Sequence, residues 1–163
     1  MKYSIAEIQK MVSPNPFGLL TTLKPDGSTN IMAVSWWSFV SNNPASIAVC
    51  LSNKGYSGTL IKETSEFVLN IVSEEMKEAA MRCGTCSGRE RDKASEFGIE
   101  LTEAGIVKPG LIKQHKVAME CRLVSMHTVS DHTIYVGEVV ETDCDESKKQ
   151  LYAFEGYRRL DTI

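Results

Sequence analysis

The chain has 163 residues, 42% hydrophobic and 24% charged, the composition of an ordinary folded domain with a real core, which excludes dominant disorder. A net charge of −3 and a sequence pI near 5.7 offer no basic field to a nucleic acid backbone. Its apolar runs last only a few residues, far short of the roughly 20 a membrane-crossing helix needs.

Lys2, Glu7 and Lys10 interrupt the start of the chain, where a secretory leader is apolar. The five cysteines (Cys50, Cys83, Cys86, Cys121 and Cys144) are an odd set with irregular spacing, unlike a disulfide framework. The expectation is one domain over residues 1–163, cytoplasmic, with reduced thiols and no membrane or nucleic acid partner.

In chain order, Ile5, Ile8, Met11 and Val12 recur at helical spacing, and Ser4 with Glu7 makes a capping box. That helix must end before Pro14 and Pro16. Residues 17–23 read as a strand, Lys24-Pro25-Asp26-Gly27 as a turn, and residues 29–40 as one return strand. A further strand is expected at 46–51. One or two helical turns follow at 59–65, then a strong strand at 66–72. Residues 73–81 read as a helix capped by Ser73. A loop over 83–91 leads to a short helix at 92–97. Two long strands, 117–129 and 133–142, join around Ser130-Asp131-His132, with a bulge or close approach at Gly137. Many strands and few helices, without strand–helix alternation, predict a closed antiparallel barrel with helical excursions.

Nucleophile-elbow, zinc-protease, phosphate-loop and dinucleotide motifs are all absent. The histidines His115, His127 and His132 lack metal-ligand spacing, and His132, at a hairpin tip, is expected to be exposed. Two polar clusters remain. Residues 29–37 put Asn30, Ser35, Trp36 and Trp37 on a predicted strand, suited either to lining a planar aromatic ligand or to core packing. Residues 52–59 (Ser52, Asn53, Lys54, Gly55, Tyr56, Ser57, Gly58, Thr59) place hydroxyls, a lysine and two glycines at a helix N-terminus. Free N–H groups and the helix dipole there favour a phosphate, although a solvated loop fits as well. Arg89, Arg91 and Lys93 crowd a third segment, by default a solvated surface. Cys83-Gly84-Thr85-Cys86 is a CxxC, redox-active or metal-binding in some settings. With no second CxxC and no thioredoxin-like context, two incidental cysteines are the simpler expectation.

These pieces, in order, resemble the flavin reductase-like, FMN-binding split-barrel family, in particular its flavoredoxin-like branch. The resemblance runs from Pro16 to about Val140. It rests on Pro16-Phe17-Gly18 with Leu20-Thr21-Thr22, Asp26-Gly27 before Asn30, Ala33-Val34-Ser35-Trp36, Asn43-Pro44, and Tyr56-Ser57 with Thr59. Further matches are Glu66-Phe67-Val68-Leu69-Asn70, Ser87-Gly88-Arg89 with Asp92-Lys93, Glu120-Cys121, and Val136-Gly137-Glu138-Val139. Ala94 departs from the family pattern, which has an aromatic residue there.

The resemblance implies a mainly β, six-stranded antiparallel split barrel, a homodimer, and one FMN per subunit. It sets Asn30, Met32, Ala33, Val34, Ser35 and Trp36 along the flavin ring and ribityl chain. Ser52, Asn53, Lys54, Tyr56, Ser57 and Thr59 fall at the phosphate, and Arg89 or Lys93 completes the anion site. The flavin would carry the chemistry, so no catalytic side chain and no metal are expected. The activity expected is hydride transfer from NADH or NADPH to flavin N5, with electrons passed to a redox protein or flavin-dependent acceptor. The alternatives are an electron-transfer protein with tightly bound FMN, a non-catalytic flavin-binding protein, and a plain structural barrel.

Overall fold

The computed structural model describes residues 2–163. Helix α1 (Ile5–Met11) begins at the expected capping box: the Ser4 hydroxyl accepts the Glu7 N–H, and the Glu7 carboxylate accepts the Ser4 N–H. It buries none of its residues, so its apolar side chains face outward. The strands that follow are β1 (Asn15–Pro16), β2 (Gly18–Leu23), β3 (Thr29–Val34), β4 (Trp37–Asn42) and β5 (Ala45–Ser52). Next come α2 (Tyr56–Thr64), β6 (Glu66–Val72), a 3-10 turn at Glu74–Met76, α3 (Lys77–Cys83) and α4 (Lys93–Phe97). The chain closes with β7 (Leu101–Thr102), β8 (Leu111–Ile112), β9 (His115–Val129), β10 (His132–Cys144), β11 (Tyr152–Phe154) and β12 (Arg159–Asp161).

Seven strands form the main sheet, in the order β3-β2-β6-β9-β10-β5-β4, with every pairing antiparallel. Leu20, Val34, Val49, Phe67, Met119 and Tyr135, drawn from strands across its width, share one apolar cluster. The sheet therefore curls around its own core as a split barrel. The expected single strand over 29–40 is two strands: the chain leaves β3 after Val34 and starts β4 at Trp37. This break raises the count from six to seven. It also separates the sheet's two edges at Ser35 and Trp36.

β2 and β6 are buried on both faces, which explains their near-continuous apolar sequences. Leu20 and Leu69 point into the barrel, whereas Leu19 and Val72 join an outer cluster with Ala80 of α3 and Leu160 of β12. Gly137 meets its expectation. The β9–β10 register shifts beside it, and a Cβ there would lie 2.5 Å from the Phe67 ring. Ser73 does precede a helical segment, but its buried hydroxyl makes no cap hydrogen bond.

Glu120 fixes the loop between β7 and β8. Its buried carboxylate accepts the N–H groups of Gly105 (2.7 Å), Ile106 (2.7 Å) and Val107 (3.0 Å). Glu120→Gln turns one acceptor into a donor facing an N–H, and a buried group left unpaired costs roughly 1–3 kcal/mol. The expected result is a lower urea midpoint at unchanged slope; an unchanged midpoint would show that the loop contributes nothing to stability.

Candidate functional site

Where the barrel splits, two adjoining cavities form a continuous cleft. The first, about 500 Å³, is lined by β3, the β5–α2 turn and the segment 83–88, with Lys93. The second, about 440 Å³, is bounded by Val34, Ser35, Trp36, Cys50, His132 and Tyr157. Met32, Ala33, Ser52, Gly84 and Thr85 line both and form the waist between them. Volumes of this size are typical of small-ligand and cofactor sites.

The first cavity is built around the buried amide of Asn30. Its Nδ2 donates to Thr22 Oγ1 (3.0 Å) and to Ser57 Oγ (2.9 Å), tying β3 to β2 and to the first turn of α2. Gly88 packs against the amide oxygen so closely that any Cβ there would collide with it. The turn before α2 closes by Gly55 N–H donating to Ser52 O (2.9 Å), and no side chain caps the helix. Its first-turn N–H groups therefore remain free to meet an anion.

Lys54 and Lys93 are the charged residues of the first cavity, which has no Asp or Glu in its lining. The Lys93 side chain is buried and its Nζ donates to the Cys83 carbonyl at 2.7 Å. Burial lowers its pKa, since no carboxylate compensates for the lost hydration. An anion is the ligand these two cations favour.

The second cavity is more aromatic. The rings of Trp36 and His132 lie 4.9 Å apart at 30°, and His132 Nδ1 is 2.9 Å from Asp131 Oδ1. His132 is thus half-buried at the cleft, not the free tip residue expected. Tyr157 arrives from the β11–β12 turn and packs edge-on against Phe17. Burial pushes its phenol up to about 12, a hydrogen bond with Ser35 offsetting part of the rise.

Of the residues singled out from sequence, Asn30, Met32, Ala33, Ser52, Lys54, Tyr56, Ser57 and Lys93 line the first cavity. Val34, Ser35 and Trp36 line the second. The other three lie outside both linings. Asn53 Nδ2 donates to the Ser130 carbonyl (2.9 Å) and its Oδ1 accepts from Thr133 Oγ1 (2.7 Å), so its amide secures the β9–β10 hairpin. Thr59 is exposed on α2, and the Arg89 guanidinium sits 4.9 Å over the Tyr56 ring. Trp37 packs on the barrel core instead of the cleft. His132, Tyr157 and Cys50 were not foreseen as cleft residues. A hairpin tip, a C-terminal turn and a strand cysteine carry no local signal for a site.

The sequence profile described as the flavin reductase like domain matches residues 11–161. The chain belongs to this family. A protein of Archaeoglobus fulgidus is 32% identical over 111 residues, covering 68% of this chain and 63% of that one, so the match spans less than two thirds of that relative. A flavin reductase of Pseudomonas putida is 26% identical over 137 residues, covering 84% and 77% of the two chains. Among solved structures, the flavoredoxin of Desulfovibrio vulgaris (Miyazaki F) superposes with a TM-score of 0.87 at 24% identity, over 100% of this chain and 93% of that one. This likeness establishes the shared split-barrel fold. Among the described residues, no helix is long and apolar enough to cross a membrane.

Burial orders the thiols of this flavin reductase-like chain. It pushes Cys83 up to about 11 and Cys121 higher still, while Cys144 is exposed. At pH 8 only about one Cys83 in a thousand is thiolate, from the three-unit gap. Iodoacetamide at pH 8 should label Cys144 first and Cys86 next, with Cys83 and Cys121 at least tenfold slower by peptide mapping. Equal labelling of Cys83 and Cys144 would contradict the packing described.

Proposed function

We propose that the cleft binds FMN and that the chain, as one domain over 1–163, is an NAD(P)H-dependent flavin reductase. The observation that carries the flavin assignment is a continuous cleft with an anion-favouring end and an aromatic end that share the wall of Met32, Ala33, Ser52, Gly84 and Thr85. The family membership and the Pseudomonas putida relative support the reductase activity.

The donor set suits the cofactor. Lys54, Lys93, the Ser57 hydroxyl and the uncapped N–H groups of α2 would hold the phosphate. Asn30, Met32 and Ala33 would run beside the ribityl chain, with Val34, Ser35 and Trp36 at the ring. Bound flavin would supply hydride acceptance at N5 from NADH or NADPH, followed by electron delivery to a redox protein or flavin-dependent acceptor. The chain's own contribution is positional. Asn30 holds the helix N-terminus against β3, and Asn53 keeps the Ser52–Lys54 turn docked on the β9–β10 hairpin. Trp36, His132 and Tyr157 enclose an aromatic wall that leaves room for a planar co-substrate. Arg89, over the Tyr56 ring, would add positive field beside the phosphate end.

A homodimer is part of the same proposal. Val124, Met126 and Val129 on β9 and Phe39 and Val40 on β4 are exposed apolar residues, and surfaces of this kind mark protein interfaces. Sedimentation should give a two-chain species, and Val124→Asp with Met126→Asp should return single chains. A monomeric parent protein would remove the dimer from the proposal.

Two measurements test the flavin site. Lys54→Ala should weaken FMN by about tenfold, from the loss of a charge-assisted contact, and riboflavin by less than about threefold. Equal losses would put the phosphate elsewhere. Anaerobic NADH or NADPH should bleach the visible flavin band of the loaded protein. A band that persists with both would eliminate nicotinamide oxidation and favour electron transfer between proteins.

A further inference from the structure

The cleft wall contains two thiols that the flavin chemistry does not use. Cys83 closes α3 and is 2% exposed, and Cys86, three residues on, is half-buried. Between them Gly84 N–H donates to Met81 O (3.2 Å) and Thr85 N–H to Arg82 O (3.1 Å), so the chain keeps winding past the helix end. Residues three apart on such a turn have Cβ atoms about 5–6 Å apart. A disulfide needs Cβ atoms about 3.5–4.5 Å apart, so a small local shift of Cys86 suffices to form one.

Their position in the cleft gives the pair meaning. Both cysteines line the first cavity, and Gly84 and Thr85 between them line the waist shared with the second. A ligand that spans both cavities must cross the CxxC turn. Lys93, whose Nζ donates to the Cys83 carbonyl, lies beside the pair. Metal chelation lacks a ligand set, since no group of three His, Cys, Asp or Glu side chains among the described residues is arranged to hold an ion.

We propose that Cys83 and Cys86 form a dithiol/disulfide couple in the cleft wall that reduces small disulfides and is itself re-reduced by flavin bound in the cleft. The second half rests on the flavin binding proposed above. Cys86, the thiol reachable from the cleft, attacks one sulfur of an external disulfide as its thiolate. The external S–S bond breaks, one thiolate leaves and takes a proton, and a mixed disulfide stays on Cys86. Cys83 then loses its proton and attacks the Cys86 sulfur, which releases the second thiolate and closes the Cys83–Cys86 bond. Two electrons have passed to the external disulfide. The internal bond regains two electrons and two protons, supplied by reduced flavin that becomes oxidised, and both thiols return. Burial fixes the order of the sulfurs: with its pKa near 11, Cys83 is a poor first nucleophile.

The test begins without added flavin. Cys144→Ser protein treated with oxidised glutathione should yield a Cys83–Cys86 bridge by peptide mass spectrometry. Adding Cys83→Ser should trap glutathione on Cys86, whereas Cys86→Ser should leave Cys83 unmodified. The second variant, at a half-buried position, keeps the test open if Cys83→Ser fails to fold. Absence of the bridge, or glutathione found on Cys83 and not on Cys86, overturns the couple. In the second arm, binding of oxidised FMN to the bridged protein is measured by its fluorescence, and fresh bridged protein is then mixed anaerobically with one equivalent of photoreduced FMN. The expected result is return of the oxidised flavin band together with two new thiols per chain, and no return of the band in Cys86→Ser, which cannot carry the bridge. Bound FMN that stays reduced overturns flavin coupling and leaves the flavin site standing. FMN that does not bind overturns both.

Discussion

The side-chain amide of Asn30 is the contact on which the cleft depends. It is 2% exposed and reaches Thr22, Ser57 and the backbone of Gly88. Through it β2, β3, the start of α2 and the loop after α3 meet at one point. A buried amide without partners costs roughly 1–3 kcal/mol, so each of these elements is held where the amide needs it. Gly88 is required by the same geometry. Any side chain there would push the loop off the amide oxygen and open the wall that carries Cys83, Cys86 and Lys93.

Around that point the fold separates a rigid floor from an open mouth. β2 and β6 are buried on both faces and packed between two apolar clusters, so the floor beside Asn30 is close-packed. The mouth lies where β3 ends and β4 begins. Those two edge strands are joined only in sequence, by Ser35 and Trp36, and do not pair with each other. Trp36 is still anchored, because its carbonyl accepts the Cys50 N–H at 2.8 Å. The residue is 43% exposed at the second cavity, with its ring beside that of His132. A large aromatic side chain held by its backbone and only partly covered is available to a ligand face.

What was legible in the sequence is what local chemistry dictates. The capping box at Ser4 and Glu7, the doubly buried runs of β2 and β6, and the glycine at 137 each have a short-range cause. The turn at 52–59 was legible as a lysine and hydroxyls at a helix start, suited equally to an anion or to a solvated loop with Ser57 or Thr59 as a cap. The lack of a side-chain cap came only from the structure. The break at Ser35–Trp36 could not be read. Two tryptophans continue the β-propensity of the strand, and only the closing of the barrel forces the chain to change edges. Asn53 was legible as polar but not as to its partners, which lie on a hairpin 77 and 80 residues away. Tyr157 reaches Ser35 and Phe17 by a C-terminal turn that no spacing rule connects to them.

Lys93 joins the anion end of the cleft to the thiol pair. Its ammonium is buried against a neutral carbonyl, and burial weakens its hold on the proton. A phosphate arriving beside it would supply the missing negative charge and raise its pKa again. A Cys83 thiolate would draw on the same positive charge, but burial pushes that thiol up to about 11 and keeps it protonated near neutral pH. Lys93 therefore serves the anion in both states of the pair. Its charge turns to the sulfurs only when Cys83 gives up its proton, a role that follows from one buried lysine and needs no movement of the barrel.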